Sequence, residues 1–349
     1  MSVAAVEPAR KSRSQDLEAR VVYRGSNGEI HLDWPLDRLK DTLDDAGGTV
    51  WLDIHDPGCA ENPAAETILR DVFKFHPLAI EDALKEAHVP RVDDWVDYLY
   101  IVFHSIDFDP TTDHLRIHEL DIFLGANYLV TYHTEPLGFL DQDFRNIERD
   151  PAGRLCHGPD HLLYHFLDLC VADFLPAIEH LDEAIDDAQE EVFARPTPRT
   201  LQAIFRVKRS ALKLHRLLSP EREVMNRLAR DVYKPIAEKH RVYFRDVYDH
   251  IVRVHDLAES LRDLVSGALD TYLSAISNRT NDVMKLLTII TAMFLPMSFL
   301  TGFFGMNFFG ETLAFQAPLP RATMFLSACA VMFGGSFSLW YWARKRGWL

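Results

Sequence analysis

The stretch NDVMKLLTIITAMFLPMSFLTGFFGMN, residues 281–307, decides the architecture of this chain. Its last charged residue is Lys285, and the run from Leu286 to Gly310 carries no charge over 25 residues. A helix needs roughly 20 apolar residues to cross a bilayer, so the run predicts a membrane span. A second uncharged run of 22 residues, Ala322 to Ala343, follows after the short connection Glu311 to Arg321. Two such runs side by side predict a membrane hairpin rather than a pair of buried core helices.

Lys and Arg choose the side. Arg279 and Lys285 precede the first run, Arg344, Lys345 and Arg346 follow the second, and the connection holds only Arg321. The bias predicts that the large N-terminal region and the C-terminus are both cytoplasmic. Trp340, Tyr341, Trp342 and Trp348 are anchors for the same interface.

Stepping alternately by three and four from Asn281 selects Met284, Thr288, Thr291, Leu295, Ser298 and Gly302, ending at Gly305. This is the 3.5-residue repeat of a left-handed bundle. The stripe is small and polar for a membrane span. It suits tight helix packing or the lining of a water-filled pore, and spacing alone leaves both open. A pore demands several copies around an axis, because one hairpin encloses nothing. Pro296 removes the helical partner of the Ala292 carbonyl and predicts a bend. Gly305 is expected to adopt a left-handed conformation and end the helix, placing Met306 and Asn307 at the outer mouth. A ring of Asn307 amides would accept hydrogen bonds from the waters of a hydrated Mg²⁺, an ion that gives up its waters reluctantly.

Upstream, residues 20–133 interleave strand patterns (RVVYR, EIHLDW, TVWLDI, YLYIVFHSI, IFLGANYLVTYH) with helical ones (AAETILRDVFKF, HPLAIEDALKEA). The mixture predicts an α/β layer. It contains no Gly-rich phosphate loop, GxSxG or HExxH, so nothing there points to an enzyme. After Pro159 the chain reads as almost wholly helical. A segment dense in Glu179, Asp182, Glu183, Asp186, Asp187, Glu190 and Glu191 is either a solvated face or a surface that concentrates cations. The basic helix PRTLQAIFRVKRSALKLHRLLSP returns beside it, ending at Pro220 and able to pair with it. From about Ile236 a very long helix runs to the membrane, with proline next at Pro296 and Gly267 the one early glycine. About 70 residues at 1.5 Å each is roughly 100 Å, which requires a bundle, an oligomeric stalk.

The net charge of −15 argues against nucleic acid as the main partner and fits a protein that meets cations. Cys59, Cys156, Cys170 and Cys329 share no CxxC spacing, and read as small hydrophobes in a reducing cytosol. Residues 1–18 are polar, unlike a secretory signal, and are expected to be disordered.

GMN at the end of the first of two C-terminal spans, after NDVMKLLTIITAMFLP, resembles the CorA family of magnesium transport proteins. HPLAIEDALKEAHVPRVDDWVDYLYIVF, FRDVYDH and the closing RKRGWL are similar to CorA segments as well, so the resemblance runs from about residue 20 to the end. It implies an α+β membrane protein that assembles as a homopentameric funnel in the cell (inner) membrane. The parts would be a cytoplasmic α/β domain (19–150), a helical hairpin (151–235), a stalk helix (236–285), a pore-lining first transmembrane helix (286–307), an external loop (308–321), a second transmembrane helix (322–343) and a basic tail (344–349). By position the family's selectivity motif falls on Gly305, Met306 and Asn307. The pore lining falls on Asn281, Met284, Leu287, Thr288, Thr291, Leu295, Ser298 and Gly302, with Met284 and Leu287 as an apolar constriction that closes by excluding water. Regulatory divalent sites between neighbouring subunits map onto Asp82 and Asp246, with Glu81 beside the first. Arg344, Lys345 and Arg346 match a basic collar.

The implied activity is passage of hydrated Mg²⁺, gated by cytosolic Mg²⁺, with Co²⁺ or Ni²⁺ as further ions. One segment departs from the family. The loop FFGETLAFQAPLP keeps Glu311 as its only acid where the family loop is commonly acidic. A zinc-transporting branch, proton-coupled or not, shares the architecture but tends to vary the residue that is Met306 here. A membrane-anchored metal sensor or enzyme is the remaining alternative.

Overall fold

The alternation in TVWLDIH builds both faces of a sheet at once. In the computed structural model, which describes residues 17–57, 62–85, 89–149, 154–305 and 321–346, this segment is the strand β3 (Thr49–His55). Val50, Leu52 and Ile54 point to one core, and Trp51 points to the other, against Phe144 and Phe166 at ring distances of 4.2 and 4.9 Å. The remaining strands are β1 (Glu18–Arg24), β2 (Ile30–Leu32), β4 (Arg91–Asp94), β5 (Leu99–Asp109), β6 (His114–Leu124) and β7 (Tyr128–His133). They form one seven-stranded sheet in the order β2-β1-β3-β7-β6-β5-β4, antiparallel except for the β3–β7 pair.

One face of the sheet is covered by α1 (Leu39–Leu43), α2 (Pro63–Thr67, continued by a π-helical turn to Val72) and α3 (Pro77–Lys85) through Leu39, Leu69, Phe75 and Ile80. At the start of α2 the Asn62 side chain accepts from the Ala64 amide at 3.1 Å, and Pro63 takes the first turn, where its missing N–H costs nothing. The other face carries α4 (Gly138–Arg149), α5 (Pro159–Ala172) and α7 (Pro198–Arg230). Lys213 and Arg227 of α7 donate to the carbonyls of Leu115 and Val92 at 3.1 and 2.7 Å, which ties the helix to β6 and β4. α6 (Phe174–Ala194) lies between α5 and α7 in sequence. The layered α/β expectation therefore stands, and full-length strand topology was beyond it.

Several local expectations are corrected. IFLGANYLVTYH is two strands, because Gly125 turns the chain. Its amide donates to the Tyr128 carbonyl at 2.9 Å, and a Cβ there would lie 2.2 Å from the Tyr128 ring. α7 runs through Pro220 to Arg230, since Leu217, Leu218, Val224, Met225 and Leu228 continue one buried face. The expected disordered tail yields to β1 at Glu18; residues 1–16 lie outside the described residues.

The long helix, α8 (Arg241–Gly305), begins five residues later than Ile236, after a 3-10 turn at Glu238–His240. It is unbroken through Pro296. Its first part buries Phe244, Val247, Ile251, Val254, Ala258, Leu261, Val265 and Ala268, an unbroken three-four alternation that packs like a bundle seam. The last helix is α9 (Arg321–Lys345).

The described residues divide into two compact units. One gathers the chain up to Glu190 with Pro198–Ala268; the other holds Glu191–Thr197 with Leu269 onward.

Candidate ion pathway and cytoplasmic carboxylate sites

In the second unit, α8 packs on α9 through one face. Ile289 is buried, Met293, Met297 and Leu300 are half-buried, and Ser336 of α9 donates to the Met293 carbonyl at 3.3 Å. Asn281, Met284, Leu287, Thr288, Thr291, Leu295, Ser298 and Gly302 are all exposed. The small, polar stripe is thus not the surface that packs the two helices together.

Thr288 and Thr291 donate their hydroxyls back to the carbonyls of Met284 and Leu287 at 2.8 and 2.9 Å, leaving each hydroxyl oxygen as an acceptor toward the uncovered side. Two open grooves follow the stripe. One, of about 740 Å³, is lined by Asn281, Met284, Lys285 and Thr288; the other, of about 330 Å³, by Leu287, Thr288, Thr291 and Leu295. Gly305 is the last helical residue, and it is not in the left-handed region expected of it. The helix is still right-handed there. Met306 and Asn307 lie outside the described residues.

Among the described residues, two helical stretches are long and apolar enough to cross a membrane, Pro159–Ala194 and Glu238–Phe303. The first belongs to the α/β unit and serves its core. The expected second span, Ala322–Ala343, is helical throughout, within α9, and carries no charged residue. At its end Arg344 and Arg346 lie over the rings of Trp340 and Trp342, and Lys345 closes the helix.

In the first unit the carboxylates expected to bind regulatory cations each have a neighbour within the chain. Asp82, on α3, is ion-paired with Arg91 of β4, which also reaches Asp93 at 3.2 Å. Glu81 takes Lys85 at 2.6 Å, one turn away, and that ammonium holds its carboxyl below the ordinary range. Asp246 is exposed on α8. Close to it, His250 Nδ1 lies 3.4 Å from Asp168 of α5. Burial pushes the Tyr164 hydroxyl up, and the charges of Asp168 and Asp246 add to that push.

Asp168 and His250 were not singled out by sequence. His250 was findable, four residues after Asp246 and therefore on the same helix face. Asp168, on another helix, carried no such signal. The structure does not bring Asp82 and Asp246 together within one chain.

The acidic helix face remains unneutralised by its expected partner. Among the described residues, none of Glu179, Asp182, Glu183, Asp186, Asp187, Glu190 or Glu191 pairs with a Lys or Arg of α7. Partial burial, with Asp186 and Glu183 nearby, raises the carboxyl of Asp182.

A family model described as CorA-like Mg2+ transporter protein matches residues 46–345. The chain belongs to the CorA family. The cobalt/magnesium transport protein CorA of Thermotoga maritima is 39% identical over 240 residues, 68% of this chain and 68% of that one. The divalent cation transporter CmaX of Pseudomonas aeruginosa is 27% identical, covering 82% of this chain and 85% of its own. Among solved structures, the complete CorA magnesium transporter of Methanocaldococcus jannaschii superposes with a TM-score of 0.75 at 20% identity, over 94% of this chain and 98% of that one. Full-length CmaX superposes with a TM-score of 0.73 at 24% identity, over 96% and 99%. These two show that the fold is shared over more than nine-tenths of the chain. The chain is therefore a member of a divalent-cation transporter family, with the soluble α/β domain and long helix of that fold.

Proposed function

We propose that the chain forms a homopentameric, passive channel for hydrated Mg²⁺ in the cell membrane, with both termini cytoplasmic. One observation carries this reading. The polar stripe from Asn281 to Gly302 lies within the surface of α8 that α9 leaves uncovered, beside exposed apolar residues such as Leu286 and Phe294. Five such faces around an axis would enclose a path lined by hydroxyls, amides and small residues, with no fixed charge. That lining suits an ion that keeps its water, because weak contacts also let it leave.

Met284 and Leu287 form the constriction, and the filter is Gly305, Met306 and Asn307, whose amide oxygens accept hydrogen bonds from coordinated water. Arg344, Lys345 and Arg346 form the collar at the inner end.

Gating follows from the carboxylates. Asp82 of one subunit and Asp246 of the next, with Glu81 nearby, repel one another until Mg²⁺ bridges them and holds the closed state. Arg91 competes for Asp82. When internal Mg²⁺ falls, the bridge opens and the population shifts toward the conducting form.

The test is ion uptake into proteoliposomes, wild type against Asn307→Ala, with Co²⁺ and Zn²⁺ in parallel. Mg²⁺ uptake in wild type and its loss in the variant is the expected result. Equal uptake in both would remove Asn307 from the filter. Zn²⁺ movement alone, driven by a proton gradient, would put the zinc-transporting branch first. For gating, the Asp82→Asn/Asp246→Asn double variant is expected to lose inhibition by internal Mg²⁺; an unchanged dose response would sink the assignment.

A further inference from the structure

On α8, nine residues beyond Asp246, three potential ligands share one turn. A ligand atom from each of His255, Asp256 and Glu259 lies within 4.8 Å of the others. His255 and Glu259 are four residues apart, so both side chains project from the same face one turn apart, the spacing by which a helix presents two donors to one ion. The cluster differs from an ordinary acidic helix face in its histidine. His255 is only 8% exposed, and its Nδ1 is buried without a hydrogen-bond partner, 3.6 Å from Asp256 Oδ1. A buried ring nitrogen left unpaired costs free energy unless something completes it. The two carboxylates beside it are exposed, so the site opens to solvent on one side. A second imidazole, His215 of α7, lies with its ring centre 5.7 Å from that of His255. Arg262 sits 3.6 Å from Glu259 but closer, at 3.1 Å, to Asp263.

We infer that His255, Asp256 and Glu259 form a transition-metal site in the cytoplasmic unit, one that takes Co²⁺, Ni²⁺ or Zn²⁺ in preference to Mg²⁺. The preference follows from the donors. Imidazole suits the borderline transition metals, whereas Mg²⁺ demands oxygen ligands and keeps its waters. His255 supplies an imidazole nitrogen, the carboxylates supply charge, and water fills the remaining positions. The site is separate from the residues assigned above to Mg²⁺ gating, and its existence does not depend on that assignment.

Equilibrium dialysis of the full-length protein in detergent tests it. The protein is stripped with chelator and titrated with Co²⁺ in a large excess of Mg²⁺, which occupies oxygen-only sites. Wild type is expected to hold one more Co²⁺ per chain than either Glu259→Gln or His255→Gln, with visible absorption of imidazole-bound cobalt that both variants lack. Each variant is expected to weaken that ion about tenfold or more. Glu259 is exposed, so its variant keeps the fold and its result stands whether or not His255→Gln is destabilised. Wild-type cobalt binding in Glu259→Gln, or displacement of the extra Co²⁺ by Mg²⁺, would overturn the assignment. Transport assays play no part, so failure here leaves the channel reading standing.

Discussion

Pro159–Ala194 and Glu238–Phe303 are both apolar enough to cross a bilayer, yet the most apolar window of the first is 50% buried within the chain and that of the second only 6%. In the first, Leu162, Leu163, Phe166 and Leu167 find the sheet and its flanking helices. In the second, Leu286, Leu287, Phe294, Leu295 and Phe299 remain exposed. Hydropathy counts what a segment must hide from water. It does not say whether the same chain, further copies or lipid does the hiding. A contiguous exposed apolar surface on a single chain marks a missing environment, and here the family supplies the membrane as that environment.

The contrast breaks or sharpens under mutation. Trp51→Ala removes a fully buried ring wedged on Phe144 and Phe166, and is expected to cost the α/β unit about 3–5 kcal/mol. Leu295→Ala is expected to leave that unit's denaturation midpoint in place and to change ion flux instead. Guanidinium titrations followed by circular dichroism compare them; equal midpoint shifts would erase the distinction between the two regions.

Asp53 probes the polar side of the same core. It is buried, and Arg20 donates to it at 2.8 Å, Thr131 at 2.7 Å, with His133 at 3.2 Å. Burial alone would raise its carboxyl, but His133, Thr131 and Arg20 outweigh burial and hold it below 3.8. Its stabilising contribution is present above the unfolded value near 3.8 and is lost as pH falls through the lower folded value. Asp53→Ala is expected to cost about 3 kcal/mol at neutral pH, and to flatten the acid limb of a stability–pH curve. An acid limb as steep as wild type's would assign that loss to other carboxylates.

Glu221 has the opposite sign. It is fully buried, and burial drives its carboxyl well above 4.5 despite the His104 amide that donates to it at 3.0 Å. The wild type therefore loses stability as pH rises from the unfolded value near 4.5 through the folded one. Glu221→Gln is expected to raise the melting temperature at pH 8 by a few degrees, corresponding to about 1 kcal/mol, and to lose that advantage at acid pH. A gain independent of pH would remove the carboxyl as its cause. The smallest effect belongs to the surface: Glu81→Gln breaks only the exposed pair with Lys85, and no measurable midpoint shift is expected.

Much of this was legible in advance where a pattern is local. The strand alternation of TVWLDI, the helical pattern of AAETILRDVFKF and the three-four stripe all rest on spacing within a few residues. Pro220 and the start of α8 were misread because a proline's cost is local whereas the buried face that overrides it belongs to the fold. IFLGANYLVTYH hid its turn because Gly125 matters only once Tyr128 packs above it.

Sequence by itself determined the uncharged runs, the polar stripe and the GMN motif, because each is a property of composition and period along one stretch. Tertiary structure alone decided which apolar helix is core. It also decided which face of α8 meets α9, that Arg91 claims Asp82, and that His250 finds Asp168. Those pairings join residues on different elements, and no spacing rule reaches across a fold.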